Sequence, residues 1–493
     1  MFEHLKKLLK GSAIYGIGNA LNSLIQLFLL PLFTAYLLPV EYGIISTLSI
    51  FSIFISSIFS FGFGSSIGLV YFDKSTDFHK EKTIWSSFVF LIIIGLIINI
   101  IGNISIDTIN DLLFKEPQKN IYLILTLINA SLITIQFPLI FRLQFEEKQL
   151  KFVLINLIFI ITNICLKVLF IVKLNYKIEG FILSEIIGRI ICLIIYLITI
   201  IPFTKIKIEF LMIKKLIKFG LPMMPSFLSI YILQQGNIFF LQYFFNLEVV
   251  GIYSIGFTLG YSIVLFTSSI STAWFPFFMT FKDKQDEAKT VFGKMLKYYI
   301  ICIGFISICY FPFSKIIIYF FADIKYSISY KIIGFISLAY FIQGLAVFFY
   351  PPFYFIKKIY YTTIFQFISC IIYIIFAILL ISNYSILGAA LSLIIGNIII
   401  NLLHFFYNKR NKILEILYEK QILYILGLFI FSIILYSFID IKNIYFDFSL
   451  KISIQFLLLF CLYLTLSVEE KNSLKENFIK IRFFFLRNKH DNK

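Results

Sequence analysis

The sequence predicts an all-α polytopic membrane protein of about 14 transmembrane helices, built as two six-helix lobes related by an axis along the membrane normal, plus two additional helices. Three observations lead there. The 493-residue chain is 60% hydrophobic and only 14% charged, with a mean hydropathy of +0.93, whereas a soluble protein carries roughly 25% charged residues. Its cations are sorted between alternate loops. One long pattern occurs twice.

Apolar runs of about 20 residues follow one another, each long enough to cross a ~30 Å hydrocarbon core as a helix. The period-two alternation of an outer-membrane barrel is absent. Helices are expected at 11–37, 41–71, 83–103, 120–141, 152–172, 178–202, 219–244, 249–280, 298–320, 332–355, 361–381, 386–407, 421–439 and 452–467. With the N-terminus in the cytoplasm, the inner segments are 1–10, 72–82, 142–151, 203–218, 281–297, 356–360, 408–420 and the tail. They hold 32 of the 43 Lys and Arg. The outer loops hold eight: Lys115, Lys119, Lys173, Lys177, Lys325, Lys331, Lys442 and Lys451. That bias is the positive-inside pattern, and an even number of crossings puts both ends in the cytoplasm. The net charge of +17 therefore reads as topology and not as nucleic-acid binding.

The repeat has a constant offset. Residues 180–190 read GFILSEIIGRI and residues 388–398 read GAALSLIIGNI, identical at seven of eleven positions and 208 apart (388 − 180). At the same offset LKKLLK (5–10) returns as IKKLIK (213–218), Gln26 as Gln234, Gly43 as Gly251 and Ser46 as Ser254. Each unit has an even number of crossings, so both copies share one orientation. The expected organisation is an N-terminal lobe (1–203), a C-terminal lobe (204–407), two additional helices (408–467) and a basic cytoplasmic tail (468–493). Transporters built from such parallel repeats bind their substrate between the lobes. The bland alternative is an inert duplicated bundle serving as an anchor.

Three cations, Lys167, Arg189 and Lys315, lie inside apolar runs, where a charge costs ~2.5–3.5 kcal/mol on insertion scales and so faces a cavity or a partner. Arg189 is eleven residues into the sixth run, roughly 16 Å deep at 1.5 Å per residue. Glu185 precedes it by one turn on the same face. Either these two neutralise each other, or Lys167 pairs with Glu185 and frees the Arg189 guanidinium to bind a pyrophosphate bidentately. Lys167 alone could also snorkel to the interface. In the second copy Lys167, Glu185 and Arg189 become Ile375, Leu393 and Asn397, and Arg142 becomes Tyr350. The expectation is a duplicated scaffold with a charged site in the N-lobe alone. Arg142, at an inner helix end, is either topological or part of that site. Asn19, Asn22 and Gln26 share one helical face, and Gln234, Gln235 and Asn237 occupy the equivalent run. These amides suit sugar recognition and serve equally well as glue between helices.

Other chemistries find no support in the residues. The six Cys all fall in apolar runs without a metal or disulfide spacing. There is no Gly-rich phosphate loop ending in Lys-Ser/Thr, and the four His are scattered. No catalytic site, metal or cofactor is expected, and energy would come from H⁺, Na⁺ or the membrane potential. The tail 473–489 mixes basic and aromatic residues, which suits an interfacial segment on anionic lipid.

The stretch LLPLFTAYLLPVEYGIISTLSIFSIFISSIFSFGFGSSIGLVYFD (29–73) resembles the start of Wzx-type polysaccharide flippases of the multidrug/oligosaccharidyl-lipid/polysaccharide exporter superfamily. The matching features are Pro31, Thr34, the turn at Leu37–Gly43, and Gly62 with Gly64. The resemblance implies a transporter moving undecaprenyl-pyrophosphate-linked oligosaccharide from the inner to the outer leaflet of the bacterial inner membrane. It would serve export of O-antigen, capsule or a related polysaccharide, in contact with membrane lipids and other polysaccharide assembly proteins. The alternatives are an ion-coupled multidrug exporter and, against the short outer loops, a membrane polymerase or ligase of polysaccharide assembly.

Overall fold

The computed structural model describes residues 24–472 except 26, 74–78, 202–205, 415, 418, 440, 442 and 469. Asn19, Asn22, Gln26, the 5–10 segment and the tail 473–489 lie outside the described residues. The membrane helices are α1 (Leu27–Tyr36), α2 (Pro39–Phe59, continued as Phe63–Tyr71), α3 (His79–Ile104), α4 (Asn120–Phe145), α5 (Gln149–Lys167, continued as Val168–Lys173), α6 (Lys177–Ile200), α7 (Phe210–Gln235, continued as Asn237–Phe244), α8 (Leu247–Tyr261, continued as Val264–Met279), α9 (Gln285–Phe321) and α10 (Ile324–Phe355). The 52-residue helix Tyr360–Asn411 supplies α11 and α12, and α13 (Gln421–Phe438) and α14 (Ile444–Thr465) follow. A straight helix of 52 residues would be roughly 78 Å long at 1.5 Å per residue, more than twice a bilayer core. It is two spans meeting at Ser385, whose φ of 51° and ψ of −127° are not helical. Among the described residues eleven helices are long and apolar enough to cross a membrane, twelve with bent α8. Dividing Tyr360–Asn411 at Ser385 adds one more, and α1 is a shorter apolar helix.

The Leu37–Gly43 turn is a helix start. Pro39 takes the first position of α2, where its missing N–H costs nothing. Glu41 reaches back to accept from the Leu38 N–H at 2.8 Å, favoured by the positive end of the helix, and pairs with Lys177 at 2.6 Å.

The helices form two compact units: Met1–Lys284 with Ser314–Glu415, and Gln285–Phe313 with Ile416–Lys493. In the first unit the repeat is visible as geometry. Gly43 of α2 touches the start of α8, and Gly251 of α8 touches the start of α2. A Cβ on Gly43 would lie 1.9 Å from Leu247 O, and one on Gly251 would lie 1.9 Å from Pro39 O. Both pairs are 208 apart (251 − 43, 247 − 39), so the lobe axis passes between the two glycines. Only hydrogen at these Cα atoms allows backbones to approach this closely.

A second approach joins the lobes at the opposite face. Gly62, with φ of +69°, breaks α2 and lies against Gly220 of α7, where a Cβ would sit 2.1 Å from Gly220 O. The structure begins α7 at Phe210, not at 219. Its first turns carry Lys214 and Lys218 outward, while Met212 and Leu216 pack against Phe63, Ile67, Val70 and Tyr71. The lysines made this stretch read as part of an inner segment, although its other face is apolar.

In the second unit Phe311 stacks on Tyr436 at 6.1 Å, and Phe313 meets Phe448 edge-on at 5.2 Å. Lys297 is fully buried between Glu419 at 2.7 Å and Glu470 at 2.8 Å. Lys451, counted above as an outer-loop cation, lies inside α14. It pairs with Asp447 one turn earlier at 2.9 Å, and this self-neutralised pair is why the apolar pattern started late, at 452.

Candidate functional site

Three N-lobe helices bring the intramembrane charges together. Lys167 stands where α5 loosens into the π-helical stretch Val168–Lys173, a departure frequent at functional sites. Its ammonium lies 3.4 Å from Glu185 Oε1 of α6 and 3.4 Å from the Phe181 ring centroid, a cation–π contact of the kind strengthened by desolvation. Asn129 of α4 sits between the charges. Its amide donates to Glu185 Oε2 at 3.0 Å, and its Oδ1 accepts from Arg189 Nε at 2.8 Å. The Gln136 amide donates to the Arg189 backbone carbonyl at 2.7 Å, and the Phe159 ring lies 5.2 Å from the guanidinium carbon.

Glu185 is therefore held by Lys167 and Asn129, and Arg189 reaches it only through the Asn129 amide. The two terminal nitrogens of Arg189 have no hydrogen bond within the described residues. Two cations and one carboxylate leave the cluster with a net charge of +1. Asn163, one turn before Lys167 on α5, is 7% exposed and has an Nδ2 without a partner. An unpaired buried amide is expensive, and this one lies beside a cationic cluster.

The remaining expected residues lie apart. Arg142 is at the far end of α4, bonded through Nε to Glu146 at 2.8 Å, with Nη1 buried and unpaired. Asn237 is 1% exposed and fully used. Its amide donates to Tyr253 Oη and Ala389 O at 3.0 and 2.9 Å, and its Oδ1 accepts from Tyr373 and Ser392 at 2.7 and 3.2 Å. Gln234 and Gln235 are half-buried without a side-chain hydrogen bond among the described residues. Lys315 lies 5.2 Å from the Tyr330 ring.

The sequence reading missed Asn129, Gln136, Asn163, Phe159 and Phe181. The spacing of 129 and 136, two turns on one face of α4, was the available signal. A separate cavity of about 1120 Å³ lies between the lobes, lined mainly by aromatic and aliphatic residues including Phe51, Phe54, Tyr231 and Phe239, with Asp111, Lys115 and Gln242 among its polar members.

Repeated helices that meet at Gly43 and Gly251, with a charged cluster held among α4, α5 and α6, define a polytopic helical membrane protein. The family is specific: residues 8–282, more than half the chain, match the family described as polysaccharide biosynthesis protein, and the chain belongs to it. No curated protein matches it in sequence. Among solved structures, the lipid II flippase MurJ in an inward closed conformation superposes with a TM-score of 0.73 at 17% identity, over 92% of this chain and 98% of that one. A MOP superfamily transporter from Pyrococcus furiosus, described as having a binding pocket of reversed polarity, follows with a TM-score of 0.58 at 16% identity, over 83% and 95% of the two chains. An inward-facing multidrug resistance MATE family transporter of the same superfamily gives 0.56 at 17% identity, over 82% and 93%. At these identities the likeness is one of fold.

Proposed function

We propose that this protein flips a pyrophosphate-linked oligosaccharide carried on undecaprenol from the inner to the outer leaflet of a bacterial cytoplasmic membrane, for export of O-antigen, capsule or a related polysaccharide. The observation that carries this reading is the open guanidinium of Arg189 in a buried cluster of net charge +1. A buried excess cation needs an anion, and a pyrophosphate matches the two free nitrogens of a guanidinium. In this reading Lys167 and Asn129 neutralise and orient Glu185 so that Arg189 is not captured by it. Membership of a polysaccharide biosynthesis family supports a glycan as cargo.

The loops at 105–119, 174–176 and 322–329 then face outward, both termini are cytoplasmic, and the lobes expose the site alternately to each side. The chain does not act as an enzyme. Its energy comes from an ion gradient, the membrane potential or consumption of product, and its partners are membrane lipids and polysaccharide assembly proteins.

The test is a gene deletion with lipid-linked oligosaccharide assayed on each side of the membrane. Cytoplasmic-side accumulation reversed by wild type but not by Arg189→Ala supports the reading. Normal surface glycan with raised drug sensitivity would replace it with a multidrug exporter, and unpolymerised units on the outer side would replace it with a polymerase or ligase.

A further inference from the structure

The face carrying segments 105–119 and 322–329 is closed by reciprocal bonds between the lobes. Lys115 Nζ, from the first loop, donates to Phe245 O at the end of α7 at 2.9 Å. Lys325 Nζ, from the second, donates to Ala35 O at the end of α1 at 3.2 Å. The bonds are reciprocal without joining strictly equivalent positions, since at the repeat offset of 208 Phe245 corresponds to Leu37 and not to Ala35; each lobe still extends one lysine to the end of the first helix of the other. Both acceptors are carbonyls at helix C-termini, which have no partner within their own helix and carry the negative end of its dipole.

A second reciprocal pair lies beneath. Thr34 Oγ1 of α1 accepts from Asp323 N at 3.2 Å. Gln242, 208 residues later on α7, donates to Leu113 O and also accepts from Thr47 Oγ1 at 2.9 Å. Tyr326 adds a bond from its hydroxyl to Leu37 O at 2.9 Å.

We infer that Lys115 and Lys325 form a two-fold latch that holds the lobes together at this face, and that release of both is required for the face to open. Each lysine caps a helix of the opposite lobe, so neither bond survives separation of the lobes. The inference rests on the part of the proposed function in which the lobes move against each other, and is independent of the substrate. Lys115 and Gln242 also line the 1120 Å³ cavity, so opening the latch unseals one wall of it.

The test uses the full chain in lipid nanodiscs without substrate. The six native cysteines are replaced by alanine, and spin labels are attached to cysteines replacing the exposed residues Glu116 and Ser327, one on each loop. Electron–electron resonance distances are compared for Lys115→Ala, Lys325→Ala, the double variant and the two Lys→Arg variants. The weight of the longer-distance state is expected to rise about threefold for each single alanine variant and about tenfold for the double, with Arg restoring the parent distribution. A parent-like distribution in the double variant would overturn the latch, and an effect confined to one lysine would overturn its reciprocity. Failure of the proposed substrate would appear only in the sided lipid assay and would leave these distances unchanged.

Discussion

The two lobes have the same helices and different interiors. In the N-lobe Asn129, Lys167, Glu185 and Arg189 form a charged cluster. At the same offset the C-lobe has Ser337, Ile375, Leu393 and Asn397. Leu393 and Ser337 are fully buried, and the Asn397 amide donates to Ala339 O of α10 at 3.1 Å. Where Arg142 stands in the N-lobe, Tyr350 lies tilted 5.2 Å from His404, which is also packed by Phe353 and Phe365. Asn237 spends all its hydrogen-bonding capacity inside the C-lobe. The duplicated feature is the contact between lobes, Gly43 with Gly251. The Lys167–Glu185–Arg189 cluster has no counterpart at the same offset in the other copy, which fits the substrate-binding role proposed for it.

Breaking the shared feature has the largest expected effect. Gly43→Ala and Gly251→Ala each drive a methyl into a backbone carbonyl, and both are expected to cost about 3 kcal/mol or more. Heating followed by size-exclusion chromatography checks this; unequal losses would contradict the axis. Next, Lys167→Ile alone leaves Glu185 without its cation and is expected to cost about 3 kcal/mol. Adding Glu185→Leu makes the N-lobe resemble the C-lobe and restores most of that stability while transport stays lost. Stability and transport moving together would erase the distinction between the lobes.

Arg189→Ala is expected to lower transport at least a hundredfold, about 2.7 kcal/mol, from the loss of paired charge-assisted bonds. Asn397→Ala, its C-lobe counterpart, is expected to change thermal stability and not transport. The smallest effect lies in the second unit. Burial raises the Glu470 carboxyl, but bonds from Lys297, the Ser467 N–H and Tyr298 outweigh it and bring the group down from 4.5 to about 2. A depressed carboxyl stabilises fully above its unfolded value and loses that contribution as pH falls through the folded one. The Tm gap between wild type and Glu470→Gln is therefore expected to narrow from pH 5 toward pH 2, and a constant gap would contradict the pairing.

Much of this was legible in the sequence. Charges inside apolar runs stand out because water is absent there, so Lys167, Glu185 and Arg189 were found by composition and by the i, i+4 spacing of Glu185 and Arg189. The repeat identified Gly43 and Gly251 as equivalent but not as touching, because a constant offset relates positions without placing the axis. Asn129 was missed because a neutral amide among apolar residues reads as helix glue, and only the three-dimensional packing of α4 on α6 sets it between Glu185 and Arg189. Asn237 shows the reverse. Its amide suggested a cavity, and the structure surrounds it with Tyr253, Tyr373 and Ser392.

The most direct test is flipping of a fluorescent undecaprenyl-pyrophosphate oligosaccharide in proteoliposomes containing wild type, Arg189→Gln or Asn397→Ala. Wild type and Asn397→Ala are expected to flip it rapidly, and Arg189→Gln only at the protein-free rate. Equal flipping by Arg189→Gln and wild type would contradict the claim that the N-lobe cluster receives the pyrophosphate.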